Sequence, residues 1–130
     1  MHGRDKAARV FVILGCVVLF VSAVLHCFAG YKNAFPALAA SNLNPGLQAA
    51  FRVIFLAAAW HSFVIAMIAL LAALTHTRLR KTLVLLCGLA FLLEAGVGAG
   101  MMGFFIGNEM IGAGALLLVC GGLLFDQSGA

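Results

Sequence analysis

Four long apolar runs restrict what this chain can fold into. They cover residues 10–29, 49–74, 83–102 and 104–125, and each has about the 20 residues that a helix needs to cross a 30 Å hydrocarbon core. Hydrophobic residues make up 65% of the 130-residue chain and charged residues only 9%, against roughly 25% charged residues in soluble domains. The sequence therefore predicts an all-α integral membrane protein: one domain over residues 1–130, built as a bundle of four transmembrane helices.

Glycines separate the third and fourth runs, where the sequence reads GAGMMGFFIGN. Glycine permits sharp turns, so we expect a tight hairpin of two helices rather than one helix of about forty residues. Gly96 and Gly100 have the small-xxx-small spacing that lets helices approach closely in lipid. We therefore expect this pair to help pack the hairpin.

Basic residues mark the direction in which the chain crosses the membrane. Six of the eight lysines and arginines form two clusters beside apolar runs: Arg4, Lys6 and Arg9, and Arg78, Arg80 and Lys81. The chain crosses twice between the clusters, so both lie on one side, and the positive-inside rule predicts that the N and C termini are cytoplasmic. An outer loop over residues 30–47 then faces the other side, with Asn44 as the N-cap of the second span and Pro45 in its first turn. Small size and basic flanks suggest a bacterial inner membrane.

The formal net charge of +4 does not indicate a nucleic-acid partner, because no aromatic side chains are interleaved with the basic clusters to stack on bases. Basic flanks of this kind instead contact anionic lipid, which makes the bilayer the expected partner. The four cysteines have no C-x-x-C spacing, so the sequence shows no zinc or thiol redox motif. No metal site is predicted.

Ionisable residues inside the spans are the main functional signal, because each costs roughly 2.5–3.5 kcal/mol at the centre of a membrane helix. Counting helical rise from the outer ends places His61 and Glu94 near the midplane. The same count places His26 and Glu109 near the outer boundary, so the four form two levels of a funnel that opens outward. The predicted ligand-binding residues are His26, Trp60, His61, Glu94, Asn108 and Glu109.

Several functions fit these residues. His61 and Glu94 can relay protons, act as an acid–base pair, or bind a small hydrophobic or redox-active molecule such as a quinone. A haem between His26 and His61, or a metal held by the His and Glu side chains, fits the depth count less well. The alternative is a structural one: a non-catalytic accessory subunit, or a module that forms a homo-oligomer or joins a larger membrane complex. The sequence identifies no cofactor and leaves open whether the protein is an enzyme.

Overall fold

The computed structural model describes residues 3–75, 78–103 and 106–125. Its helices, in chain order, are α1 (Gly3–Ala29), α2 (Phe35–Ala39), α3 (Pro45–Leu74), α4 (Arg80–Met102) and α5 (Ile106–Leu124). Four helical stretches are long and apolar enough to cross a membrane: Gly3–Ala39, Pro45–Leu74, Arg80–Met101 and Ile106–Leu124. The four predicted spans are therefore confirmed as helices, although residues 104 and 105 of the predicted fourth span lie outside the described residues.

The first span is longer than the sequence predicted. A π-helical turn at Gly30–Ala34 joins α1 to α2, so much of the expected outer loop is helical and only residues 40–44 separate α2 from α3. The wide turn comes just before Pro36, which has no backbone N–H and whose ring would clash in a regular helix. The π-helical turn also brings Gly30 against the ring of Phe55, where a Cβ atom would lie 2.5 Å from the ring.

The start of α3 and the turn before α5 follow the sequence closely. Asn44 is the N-cap of α3, and its side chain accepts a hydrogen bond of 2.9 Å from the backbone N–H of Leu47. Pro45 occupies the first turn, where its missing N–H costs nothing. Helix α4 ends at Gly103, whose φ of 77° is a left-handed value that favours glycine. The predicted hairpin between α4 and α5 is thus confirmed.

The four long helices form a ring in which α1 and α4 are each flanked by α3 and α5. The α1–α5 and α4–α5 contacts are the most extensive, and those between α3 and α4 are the least. Glycines explain the tight packing of α5. The backbones of Gly15 and Gly114 meet directly, since a Cβ on Gly15 would lie 2.9 Å from the Gly114 carbonyl oxygen. A Cβ on Gly121 would lie equally close to the Ala8 carbonyl oxygen.

The expectation that Gly96 and Gly100 pack the hairpin is wrong. Both are exposed, and a Cβ on either would meet nothing within 4 Å. Gly88 on α4 makes the close approach instead, with a Cβ position 3.0 Å from the backbone nitrogen of Val119. Small-xxx-small spacing shows that helices can approach, but the rotation of α4 about its own axis decides which glycines face the neighbouring helix.

Helix α3 contributes a face of small side chains to the bundle. Its buried residues are Ala59, Ser62, Ala66, Ala69, Ala72 and Ala73, while large apolar residues of the same helix, such as Ile54 and Leu71, are exposed. This distribution is expected of a helix in lipid, where a large apolar side chain gains nothing by facing inward.

A buried ion pair joins the basic ends of α1 and α4. Nη2 of Arg80 donates a hydrogen bond of 2.8 Å to Oδ2 of Asp5, and both side chains are largely buried. The guanidinium group of Arg80 also lies 4.7 Å from the ring centroid of Phe125. The two basic clusters therefore lie at one end of the bundle, called here the basic end, and the turn at Gly103 and residues 40–44 lie at the opposite, loop end.

Candidate functional site

A cavity of about 490 Å³ lies between the helices in the half of the bundle nearer the loop end. All four membrane helices contribute to its wall, for example Ala23 from α1, Ala59 from α3, Gly98 from α4 and Ile111 from α5. The wall is mostly apolar. Its polar side chains are Ser22, His26, Asn33, Ser62, Glu94 and Asn108.

Glu94 lines this cavity and is flanked by His61 on α3. Its side chain is 33% exposed, but its Oε2 atom is buried and has no hydrogen-bond partner in the part of the chain that the structure describes. Nδ1 of His61 lies 3.7 Å from Oε2, which is close enough for a charge interaction but too long for a hydrogen bond. A buried acceptor without a partner costs about 1–3 kcal/mol, so the site is not satisfied by the protein alone.

The structure places His61 on the outer surface of the bundle, although the sequence analysis put it inside the funnel. Its side chain is 57% exposed, and the residue does not line the cavity. His61 and Glu94 are neighbours, as the depth count predicted, but of the two only Glu94 lines the cavity. The imidazole lies on the outer surface of the bundle.

His26 is held against α3 by two contacts with Phe55. Its Nε2 atom lies 3.1 Å from the backbone carbonyl oxygen of Phe55, and its ring stacks on the Phe55 ring at a centroid distance of 3.9 Å. A carbonyl oxygen only accepts, so Nε2 carries the proton and donates it. In the neutral ring Nδ1 is then the acceptor atom.

Two further polar residues of the wall are bonded to helix carbonyls. The hydroxyl group of Ser62 donates to the carbonyl oxygen of Ala58 at 3.0 Å, a common bond for a serine inside a helix. Asn108 is buried, and its Nδ2 donates to the carbonyl oxygen of Gly103 at 3.3 Å. Its Oδ1 fills the space beside Gly98, where a Cβ would lie only 2.7 Å away.

Two residues that the sequence predicted for the ligand site lie away from the cavity. Trp60 is 67% exposed and stacks on Phe63 at a centroid distance of 5.7 Å. Glu109 is exposed in the first turn of α5, and neither residue lines the cavity. Trp60 and Glu109 are therefore placed to face lipid or headgroups.

The sequence analysis missed Ser22, Asn33 and Ser62 as cavity residues. Ser22 and Ser62 each place a hydroxyl group inside an apolar run, and a polar residue in such a run could have indicated a position that faces the interior of the bundle. Asn33 gave no such signal, because it fell in a segment predicted to be a loop. Phe55 was also missed, since nothing in an apolar run distinguishes the one ring that stacks on a histidine.

The positions of the histidine and carboxylate side chains also bear on whether the protein could hold a metal ion or a haem. Among the described residues, no group of three or more His, Cys, Asp or Glu side chains is placed to hold a metal ion. His26 and His61 do not face a common space, because His26 lines the cavity and His61 lies on the outer surface. Nε2 of His26 is also engaged with Phe55. His26 and His61 therefore do not form a pair of axial ligands in this conformation.

The fold and the cavity define a class: an integral membrane protein with four membrane helices and a largely apolar cavity, whose described wall includes the carboxyl group of Glu94. No protein-family model, curated protein or solved structure matches the chain. We therefore argue function from the geometry of the cavity alone.

Proposed function

We propose that this protein binds a small, largely apolar molecule in the cavity of its four-helix bundle, with Glu94 as the polar anchor. One observation carries the proposal: the side chain of Glu94, which is 33% exposed, supplies a carboxyl group to the wall of a largely apolar cavity. A carboxyl group inside a membrane span is costly unless something compensates it, and a ligand with a matching polar group would do so.

The size and chemistry of the cavity support binding of a small molecule. Ligand pockets commonly have volumes of about 300–1,000 Å³, with mostly apolar walls and a few polar groups that orient the ligand. The present cavity, at about 490 Å³, falls in that range and has that composition. The proposed function is binding, with Glu94 and His26 as the residues that orient the ligand; no reaction is proposed.

Native mass spectrometry of the protein in lipid nanodiscs tests the proposal. Ala58 lines the cavity, while its neighbour Ala57 is exposed and does not. We expect a retained small molecule in the wild type and in Ala57→Phe, and its loss in Ala58→Phe, where the ring occupies the cavity. Bare subunits in all three proteins would contradict the proposal. A multimer without any retained molecule would favour the alternative of an oligomer-forming or accessory module.

We also propose that the basic end faces the cytoplasm of a bacterium and that the protein resides in the inner membrane. Support comes from the position of both basic clusters at one end of the bundle, joined by the Asp5–Arg80 ion pair, together with the positive-inside rule. In a cysteine-free background, a membrane-impermeant maleimide added to intact cells should label a cysteine at Asn42 but not one at Arg78. The reverse labelling would invert this orientation.

A further inference from the structure

We infer that the ligand is a small hydrophobic amine whose protonated nitrogen is held at Glu94; the inference depends on the binding function proposed above. It follows from which atoms of the cavity wall can still form hydrogen bonds. Several polar side chains of the wall already donate their hydrogen bonds to backbone carbonyl groups, so mainly acceptor atoms remain for a ligand. The wall therefore favours a ligand that donates hydrogen bonds.

Donors of three cavity residues are already engaged. His26 donates from Nε2 to Phe55, Ser62 donates its hydroxyl proton to Ala58, and Asn108 donates from Nδ2 to Gly103. His26 in its neutral form and Ser62 are left with acceptor capacity only. Asn108 keeps its second N–H, Asn33 has an amide group with two N–H donors and one acceptor, and Ser22 has a hydroxyl group that can donate or accept. Four N–H or O–H donors thus stand against seven acceptor atoms, two of them on Glu94.

Acceptors therefore outnumber donors on the wall, and the strongest acceptor is Glu94. A carboxyl group accepts hydrogen bonds in both protonation states and donates only when it is protonated. A ketone or quinone presents only acceptors, so it would leave most of these wall atoms without partners. An ammonium group donates to them and forms a charge-assisted bond with the ionised carboxylate, which is stronger than a neutral bond.

The distribution of charge points the same way. Glu94 is the acidic residue on the described part of the wall, and neither lysine nor arginine lines it. The cations at the loop end lie over rings instead: Lys32 is 6.0 Å from the centroid of Phe28, and Arg52 is 5.9 Å from that of Phe35.

Two features oppose a cationic ligand: His61, which lies 3.7 Å from Oε2 of Glu94 on the side away from the cavity and competes for the carboxylate, and the amino end of α5. Ile106 and Gly107 in its first turn line the cavity, and the positive end of a helix dipole favours anions. Glu109 in the same turn offsets that dipole. The charge that a ligand meets at the cavity wall is therefore determined mainly by Glu94.

Three probes of nearly equal size test the inference. They are N,N-dimethyl-4-phenylbutylamine, its carbon isostere (5-methylhexyl)benzene, and the ketone 6-phenylhexan-2-one. Equilibrium dialysis against nanodiscs, with empty nanodiscs subtracted, measures how much of each probe the protein retains. We expect the amine to be retained about tenfold more strongly than the other two, since a hydrogen bond to a charged group contributes about that factor.

Variants then locate the effect. Glu94→Gln keeps the size of the side chain and should reduce amine retention about tenfold while leaving retention of the hydrocarbon unchanged. That unchanged retention shows that the cavity of the variant is intact. Glu109→Gln is the matched control, because it removes an exposed carboxylate of the same half of the bundle that does not line the cavity. It should weaken amine retention far less than Glu94→Gln does, through the helix dipole alone, and should leave retention of the hydrocarbon and the ketone unchanged.

The outcomes separate the inference from the proposed function. Equal retention of the amine and the hydrocarbon, or preference for the ketone, would overturn the inference and leave the binding function standing. An amine preference that persists in Glu94→Gln would also overturn it. If none of the three probes is retained above empty nanodiscs, the binding function itself fails.

Discussion

Replacing Gly88 by alanine should destabilise the bundle, whereas the same replacement at Gly96 on the same helix should not. A Cβ at position 88 would lie 2.8 Å from Cγ2 of Val119 and 3.0 Å from its backbone nitrogen. Valine has little χ1 freedom in a helix, and the nitrogen moves only if α5 moves. The added methyl group can therefore be accommodated only by separating α4 from α5.

The magnitude follows from comparing the two variants. Overpacking a well-packed contact costs typically about 1–3 kcal/mol, while alanine in place of glycine inside a helix gains about 1 kcal/mol. The gain applies to both variants, because Gly88 and Gly96 both lie inside α4. The difference between their free energies of unfolding therefore isolates the packing cost, and we expect it to be about 1–3 kcal/mol.

Reversible unfolding in mixed micelles of dodecyl maltoside and SDS, followed by far-ultraviolet circular dichroism, measures both free energies. Gly96→Ala should exceed the wild type in stability by up to about 1 kcal/mol. If Gly88→Ala is as stable as Gly96→Ala, α4 and α5 do not approach each other as described, and our account of this contact is refuted.

Three further predictions concern individual polar contacts, and the same unfolding assay measures all of them. Arg80→Ala should lower the free energy of unfolding by about 3 kcal/mol, because it leaves the buried carboxylate of Asp5 without this partner; a loss below 1 kcal/mol would show that the pair is not buried. Asn44→Ala should cost about 1 kcal/mol through loss of the N-cap bond, and no loss would mean that α3 begins elsewhere. His61→Ala and Glu94→Ala should be non-additive by about 0.6 kcal/mol, and strict additivity would rule out the pairing.

The sequence was sufficient to predict the four membrane helices of this fold, although not the helical extension over residues 30–39. Length and hydropathy define a membrane helix because the bilayer imposes both, and glycine or asparagine at a helix end has a local geometric cause. Gly103 and Asn44 could therefore be predicted from their own neighbourhoods. The proximity of His61 and Glu94 was also accessible, because helical rise fixes depth once the ends of the spans are known.

The rotation of each helix about its axis could not be predicted in the same way. In a soluble bundle the apolar stripe of a helix faces the core, but in lipid both faces are apolar and the stripe disappears. Gly96 and Gly100 were therefore assigned to the wrong face, and His61 was placed inside when it lies outside. The cavity could not be predicted from the sequence for the same reason, because its wall depends on which side chains of four helices face one another.

The alanine face of α3 has a consequence for how the bundle can adapt. Helices α1, α4 and α5 meet through glycines whose backbones lie in direct contact, so they form a stiff frame. Apart from Phe55, which stacks on His26, helix α3 packs against those helices mainly through small side chains, and its contact with α4 is the least extensive of the ring. We expect α3 to shift relative to α1, α4 and α5 and so to adjust the cavity volume to ligands of different size, while the other three helices keep their positions.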